Sequence, residues 1–399
     1  MSQVPIKTTL ADEILAKADQ QERIDAAKRR EMMKTVAQMR WKLATEIHET
    51  EDGSKMNFER FPFQKEIYQS TAEDLVVFGG TGWGKTLFAI IDDFAKALCG
   101  LRVIHVCDKA QKRNSFVLGI VDPLIHRIPF YAAMLEGAAK DRKAEVDSAY
   151  QKHFGDGMMY FLGANSESDF YSYRGDSTMV DEMQLCDLDN LAKLFGRRTG
   201  SFYRFQTVMG NPKEFGSAQN QNIHWQFLES DQRQWKIPCP HCHEYQRLSW
   251  GTHFVKERTN DFGAIVEVEI LDKERADQEE LEIRPICQFC GFPMWRLHPE
   301  GKWVVTNPGK RRHGYQLSNL YNPEVSTLEL LGEYRKGFHN PGLKASFHQN
   351  QLGEPYAASG ANITEEMLEQ ACTGLNSGVM PYAFIDVSDL EFHDVDVQT

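Results

Sequence analysis

The chain carries 399 residues, 41% apolar and 26% charged, at a formal net charge of −12. That length holds two or three domains around a large core, and the composition is that of an ordinary soluble globular protein. The acidic balance excludes a uniformly basic coat for nucleic acid but not a local basic channel; with no apolar run approaching a membrane span and no signal-peptide core, a cytoplasmic setting is expected.

Residues 8 to about 50 lack Gly and Pro and repeat apolar positions such as Ile14, Leu15, Ala18, Val36, Met39 and Leu43 at helical spacing. One or two amphipathic helices follow, packed on the chain's own core or docking a partner subunit. In NFERFPFQKEIYQ, Asn57 to Gln69, the Gln64 amide can satisfy both edges of an adenine, and Phe61 or Phe63 can stack on its face. Phenylalanines in such a run are as readily core.

Phe78 to Thr86 read FGGTGWGKT, in which Gly79, Gly84, Lys85 and Thr86 fit G-x-x-x-x-G-K-[ST]. Asp74–Phe78 ahead of the loop reads as a buried strand, and Leu87–Ile91 behind it as the first turns of a helix. That setting aims backbone N–H groups and a helix N-terminus at an anion. Gly79, Gly80, Thr81, Gly82, Trp83 and Gly84 then cradle a nucleoside triphosphate such as ATP; Lys85 reaches the β- and γ-phosphates and the Thr86 hydroxyl ligates Mg²⁺.

Arg102–Asp108 reads as a second strand, followed by a polar turn whose Lys109, Lys112 and Arg113 either touch DNA phosphates or form a solvated loop. Met158–Leu162 gives a third strand and Thr178–Glu182 a fourth, closing on the acidic pair a Walker B site needs. Asp181 would hold the Mg²⁺ shell, and Glu182 would orient and deprotonate the attacking water. Arg174, just ahead, either couples phosphate state to movement or makes a salt bridge. Arg204–Met209 gives a fifth strand running into Gly210 and Asn211, a sensor beside the γ-phosphate, and Arg197 and Arg198 are candidates for an arginine finger.

Cys239–Cys242 and Cys287–Cys290 are two C-x-x-C knuckles flanked by short strand-like runs, Gln234–Ile237, Val266–Leu271 and Trp303–Thr306. Four thiolates complete a closed tetrahedral Zn²⁺ shell, a structural site; His241 and His243 are the alternative ligands, and redox dithiols the alternative chemistry. Cys99, Cys107, Cys186 and Cys372 read as buried thiols. Lys310–His313 is the densest basic cluster and leans toward a phosphate grip, Leu328–Phe338 returns to a helical pattern, and Ala383–Asp386 opens a new strand. The expected class is α/β: a phosphate-loop NTPase with a mainly parallel central sheet flanked by helices, an N-terminal helical arm and an inserted Cys₄ zinc-ribbon-like module. The expected parts are an arm over 1–56, an ATPase core over 57–233, the zinc module over 234–308, a return to the core with linker helices over 309–378, and a further domain beginning at 379–399.

In one order stand FPFQ, GGTGWGKT, DPLI at Asp122–Ile125, GANS at Gly163–Ser166, VDE at Val180–Glu182, SDQRQWKIPCPHC at Ser230–Cys242, GYQLSNLYNP at Gly314–Pro323 and FHQNQLGEPY at Phe347–Tyr356. Over roughly residues 57 to 360 this resembles the large terminase subunit of tailed bacteriophages, the lambda-like family with a cysteine-rich insertion. The resemblance implies an ATP-driven motor, active as a homo-oligomeric ring at the procapsid portal in the host cytoplasm, that moves double-stranded DNA into the procapsid. It implies a small-terminase partner for the N-terminal arm and a ribonuclease-H-like nuclease with two divalent metals. By that match Lys85 and Thr86 bind ATP·Mg²⁺, Asp181 holds the metal and Glu182 activates water.

Three departures stand out. The loop lacks the arginine many relatives carry, so a finger must come from elsewhere or from a neighbour. Phe170–Arg174 replaces the Leu-Arg-Ser of the family, leaving Arg174 as the nearest substitute. Asp386 (IDVSD) or Asp396 (VDVQ) would be the first nuclease carboxylate, and a two-metal site needs several carboxylates from later strands, so this polypeptide alone is expected not to cut DNA. A helicase-like nucleic-acid-dependent ATPase and a non-catalytic zinc-dependent assembly module remain the alternatives.

Overall fold

Apolar β-branched runs build the centre of the fold. The computed structural model describes residues 10–50, 53–140, 147–165, 170, 172–259, 265–278 and 281–356, with the backbone alone for 10–16, 136–140 and 339. Its strands are β1 Asp74–Gly79, β2 Arg102–Cys107, β3 Gln151–Phe154, β4 Gly157–Gly163, β5 Ser177–Val180, β6 Phe205–Gly210, β7 Arg233–Pro238, β8 Tyr245–Gln246, β9 Val255–Thr259, β10 Ile265–Ile270, β11 Lys302–Val305 and β12 His313–Leu317.

Among the described residues the central sheet has ten strands, in the order β11-β7-β12-β1-β6-β5-β2-β4-β3, with β8 on β7. From β7 to β4 all neighbours are parallel; β11 and β3 close the two edges antiparallel. A parallel sheet is covered on both faces, which is why its strands read as continuous apolar runs. In β1 the side chains alternate: Leu75 and Val77 enter one core and Val76 and Phe78 the other. A mainly parallel sheet flanked by helices is the architecture expected from the sequence.

Helix α1, Leu10–Lys42, does not stand apart. Met33, Val36, Ala37 and Arg40 are buried against the core, while residues 17–24 are exposed. Arg40 pairs with Asp92 at 2.7 Å, and its Nη1 donates to the carbonyls of Tyr68 and Ser70 at 3.2 and 3.1 Å. Asp92 lies on helix α3, Lys85–Leu98, and also pairs with Lys96 at 2.7 Å. Burial alone would raise the Asp92 carboxyl, but Arg40 and Lys96 hold it below its ordinary value.

Of the strand-like runs around the cysteine pairs, Gln234–Ile237 and Trp303–Thr306 overlap β7 and β11 of the central sheet, while Val266–Leu271 overlaps β10, which pairs with β9 in a two-stranded sheet of its own. His313–Leu317 is β12, paired with Leu75–Gly79 of β1; the helical pattern expected around Leu328–Phe338 is the helix Thr327–Lys336. The described residues all fall in one compact unit. Ala383–Asp386, Cys372, Asp386 and Asp396 lie outside the described residues. Among the described residues no single helix is long and apolar enough to cross a membrane.

Asp92→Asn would leave the buried cations Arg40 and Lys96 without their counter-charge. Such a loss costs about 3–5 kcal/mol. Urea denaturation should show a fall of that size; a change below ~1 kcal/mol would mean the cluster is not a buried charge network.

Candidate active site

The site forms where parallel strands end and helices begin, the edge of an open α/β sheet that takes ligands. β1 ends at Gly79, and α3 begins at Lys85. The turn between them needs left-handed backbone at Gly82 and Gly84, with φ of 86° and 87°, which glycine adopts without steric cost. Lys85 is buried, and its Nζ donates to the Gly80 carbonyl at 2.5 Å. Burial pushes its ammonium down to about 8, against the opposing pull of Glu182 and Asp181. Trp83 is buried, with the Lys85 Nζ 5.0 Å from its ring. Gln64 donates through Nε2 to the Trp83 carbonyl at 2.7 Å, so it lies against the loop with Oε1 uncommitted to that bond.

The acidic pair reaches the same edge across an intervening strand. β6 lies between β1 and β5, and β5 ends at Val180, so Asp181 and Glu182 follow it. Thr86 Oγ1 donates to Asp181 Oδ2 at 3.3 Å. Asp181 is buried, and that burial raises its carboxyl above the ordinary value despite His105 and Lys85. Glu182 holds a left-handed backbone, φ 53°, a conformation that persists in a non-glycine residue only where its surroundings fix it. Here the Asp181 carboxylate accepts the Glu182 N–H at 3.0 Å, and Gln184 Nε2 donates to the Glu182 carboxylate. Thr86, Asp108, Lys112, Asp181 and Glu182 line a cleft of about 270 Å³.

The end of β6 and a distant segment complete the edge. Asn211 N–H donates to Gln184 Oε1 at 3.0 Å, and its Nδ2 to Asn350 Oδ1 at 3.0 Å. Asn350 lies in the π-helical turn Phe347–Leu352 and accepts the Thr81 N–H on its own carbonyl at 2.7 Å. Gly353 follows with φ 64°; a Cβ there would sit 2.2 Å from the Leu317 carbonyl and 2.6 Å from Gly79 Cα. Gln184, Asn350 and Gly353 were not singled out as site residues. The amide-dense run FHQNQLGEPY carries Asn350 and Gly353 but not Gln184, which stands in no motif beyond its place after the acidic pair.

Several expected residues go elsewhere. Arg174 is exposed and precedes the start of β5, at the opposite end of that strand from Asp181. Arg198 is committed to structure: it donates to the Arg204 and Phe205 carbonyls at 2.8 and 3.0 Å and to Gln206 Oε1 at 2.7 Å, all at the start of β6. Arg197 is its neighbour at that far edge, so neither reaches this chain's own phosphate loop. Phe63 is buried against Trp235 and offers no stacking face. Arg113 is buried with its guanidinium 3.9 Å from the Tyr150 ring, and Lys112 pairs with Asp108 at 3.5 Å. The basic cluster is held by its own chain: Lys310 pairs with Glu229 at 3.4 Å, and Arg312 donates to Gln226 at 2.6 Å.

The four knuckle cysteines converge, all Sγ atoms lying within 4.8 Å of one another. Cys239 and Cys290 are 3.6 Å apart and Cys242 and Cys287 3.7 Å. Gln246 Nε2 donates to the Cys287 sulfur at 3.2 Å and is itself set by His253 at 3.0 Å. His241 and His243 are exposed, and neither belongs to this cluster.

The family model described as phage terminase large subunit gpA, ATPase domain, matches residues 51–294, more than half of the chain. Similar solved structures include the large terminase ATPase domain of Thermus phage P74-26, at 12% identity over 73% of this chain and 92% of that one, TM-score 0.41. A point mutant of that domain covers 73% and 93% at 12% identity, TM-score 0.39. The large terminase of a thermophilic bacteriophage in complex with ADP covers 71% and 48% at 11% identity, TM-score 0.33. No curated protein matches the chain in sequence.

Gly353→Ala places a methyl into the phosphate loop in a left-handed backbone. A loss of roughly 2 kcal/mol or more should appear in denaturant unfolding. Stability equal to the parent chain would show that the segment does not brace the loop.

Proposed function

The chain belongs to the gpA family of phage terminase large subunits, and from that premise we propose that it is the ATP-hydrolysing motor subunit that packages double-stranded viral DNA. The observation that carries the reading is the meeting of Thr86 and Asp181 at 3.3 Å, with Lys85 buried beside them. The loop N–H groups and Lys85 bind the triphosphate. A hydroxyl facing a buried carboxylate is a hard-oxygen pair suited to Mg²⁺, so Thr86 and Asp181 would hold the ion. When bound, Mg²⁺ neutralises charge on the phosphates. Glu182 takes a proton from water as its oxygen bonds to the γ-phosphorus; the bond to the β–γ bridging oxygen breaks and ADP departs. Asn211 would sense that step, and Gln64 would be the adenine-side amide. The transition-state arginine comes from a neighbouring subunit, which favours a ring. The duplex, the small terminase subunit and the procapsid portal are the partners proposed, in the host cytoplasm.

The cysteine cluster supports structural zinc. Tetrahedral Zn–S bonds of about 2.3 Å put sulfurs about 3.75 Å apart, close to the 3.6 and 3.7 Å found. The site is closed by four thiols, so it takes no part in hydrolysis.

Duplex-stimulated ATP turnover should fall at least ~100-fold in Glu182→Gln while a nucleotide analogue still binds. Normal turnover in that variant would remove Glu182 from the chemistry. For the metal, elemental analysis should return about one zinc per chain, and Cys239→Ser should lower the melting temperature by several degrees. Metal-free protein of unchanged stability would remove the zinc reading.

A further inference from the structure

We propose that Gln184 and Asn350 are positioning residues that tie the Glu182 carboxylate to the phosphate loop, so that occupation of the loop sets the place of the acid. The inference rests on the ATPase reading above. A continuous series of bonds runs between them. The Thr81 N–H and hydroxyl donate to the Asn350 carbonyl at 2.7 and 3.3 Å. Asn350 Oδ1 accepts Asn211 Nδ2 at 3.0 Å, the Asn211 N–H donates to Gln184 Oε1 at 3.0 Å, and Gln184 Nε2 donates to Glu182. Through Asp181 and Thr86 the series returns to the loop, closing a ring of contacts.

The residue types fit the task. An amide offers a donor and an acceptor on one rigid plane, so Gln184 passes a displacement from one side to the other. Networks of this kind polarise and hold one another. Space has been kept for them at two glycines. A Cβ on Gly210 would lie 2.1 Å from Gln184 Oε1, and a Cβ on Gly80 would lie 2.6 Å from the Asn350 carbonyl. Glu182 is the one member in a left-handed backbone, where its two bonds hold it. The alternative, in which Gln184 merely stabilises its own turn, gives no reason for Asn350 to reach across 139 residues of sequence to Asn211.

The test uses the full 399-residue chain with linear duplex DNA, reading steady-state ATP turnover and equilibrium binding of a fluorescent ATP analogue. Asn350→Ala keeps the backbone carbonyl for Thr81 but cuts the bond to Asn211; Gln184→Leu cuts both of its bonds. Each should lower kcat about tenfold with analogue affinity within about twofold, and the double variant should fall no further than the worse single one. Asn350→Asp, whose carboxylate still accepts from Asn211, should restore most of the rate. Parent-like turnover in both single variants, additive losses, or affinity falling in step with kcat would each overturn the proposal. Glu182→Gln separates the two levels. If it abolishes turnover while the relay variants behave as the parent chain, the relay fails and the ATPase reading stands. If it turns over normally, both fail.

Discussion

The Leu317 carbonyl accepts the Gly80 N–H at 3.1 Å, and the nucleotide edge depends on that contact. It joins the phosphate loop to the end of β12, whose five residues pair in register with β1. Backbone this close excludes side chains: a Cβ on Gly79 would lie 2.1 Å from that same carbonyl. Gly353 then enters the remaining space, and Gln316 Nε2 fixes it by donating to its carbonyl at 2.9 Å. The loop is therefore shaped as much by residues after 313 as by its own glycines. Removing any of these contacts acts on the loop before it acts on the sheet.

What the sequence made legible follows from where each signal resides. β1, β2, β4, β5 and β6 are buried on both faces, so their apolar runs are continuous and stand out. β12 carries His313, Gly314 and Gln316 among two apolar residues, and it is a strand because partners far along the chain satisfy those groups. No local pattern records that. The loop and the acidic pair were legible for a chemical reason: positive φ calls for glycine and phosphate for lysine, and an Asp-Glu pair after an apolar strand gains its meaning from the phosphate loop upstream. Gln184 and Asn350 were not, because an amide is ordinary until the fold brings it to another.

The arginines show the same limit from another direction. In a sheet of parallel strands the helices return the chain to the opposite edge, so residues just before a strand lie far from those just after it. Arg174, Arg197 and Arg198 all precede strands, whereas Asp181 and Asn211 follow them. Proximity in sequence to the acidic pair therefore places these arginines away from it. Arg198 is held in its own chain by three hydrogen-bond acceptors and an ion pair with Asp74.

The cysteine cluster belongs to the same chain of dependence. Cys239 directly follows β7, and β7 is the strand between β11 and β12. Tyr321 adds a second tie there, donating its hydroxyl to the Trp235 carbonyl at 3.0 Å and accepting the Leu248 N–H at 2.6 Å. Four thiols drawn together fix the end of β7; β7 supports β12, and β12 holds the phosphate loop through Leu317. A metal held by those thiols, touching no substrate, would thus bear on nucleotide binding through two strands. Were zinc removal to lower nucleotide affinity, register lost at the sheet edge would account for it, with zinc itself playing no part at the site of hydrolysis.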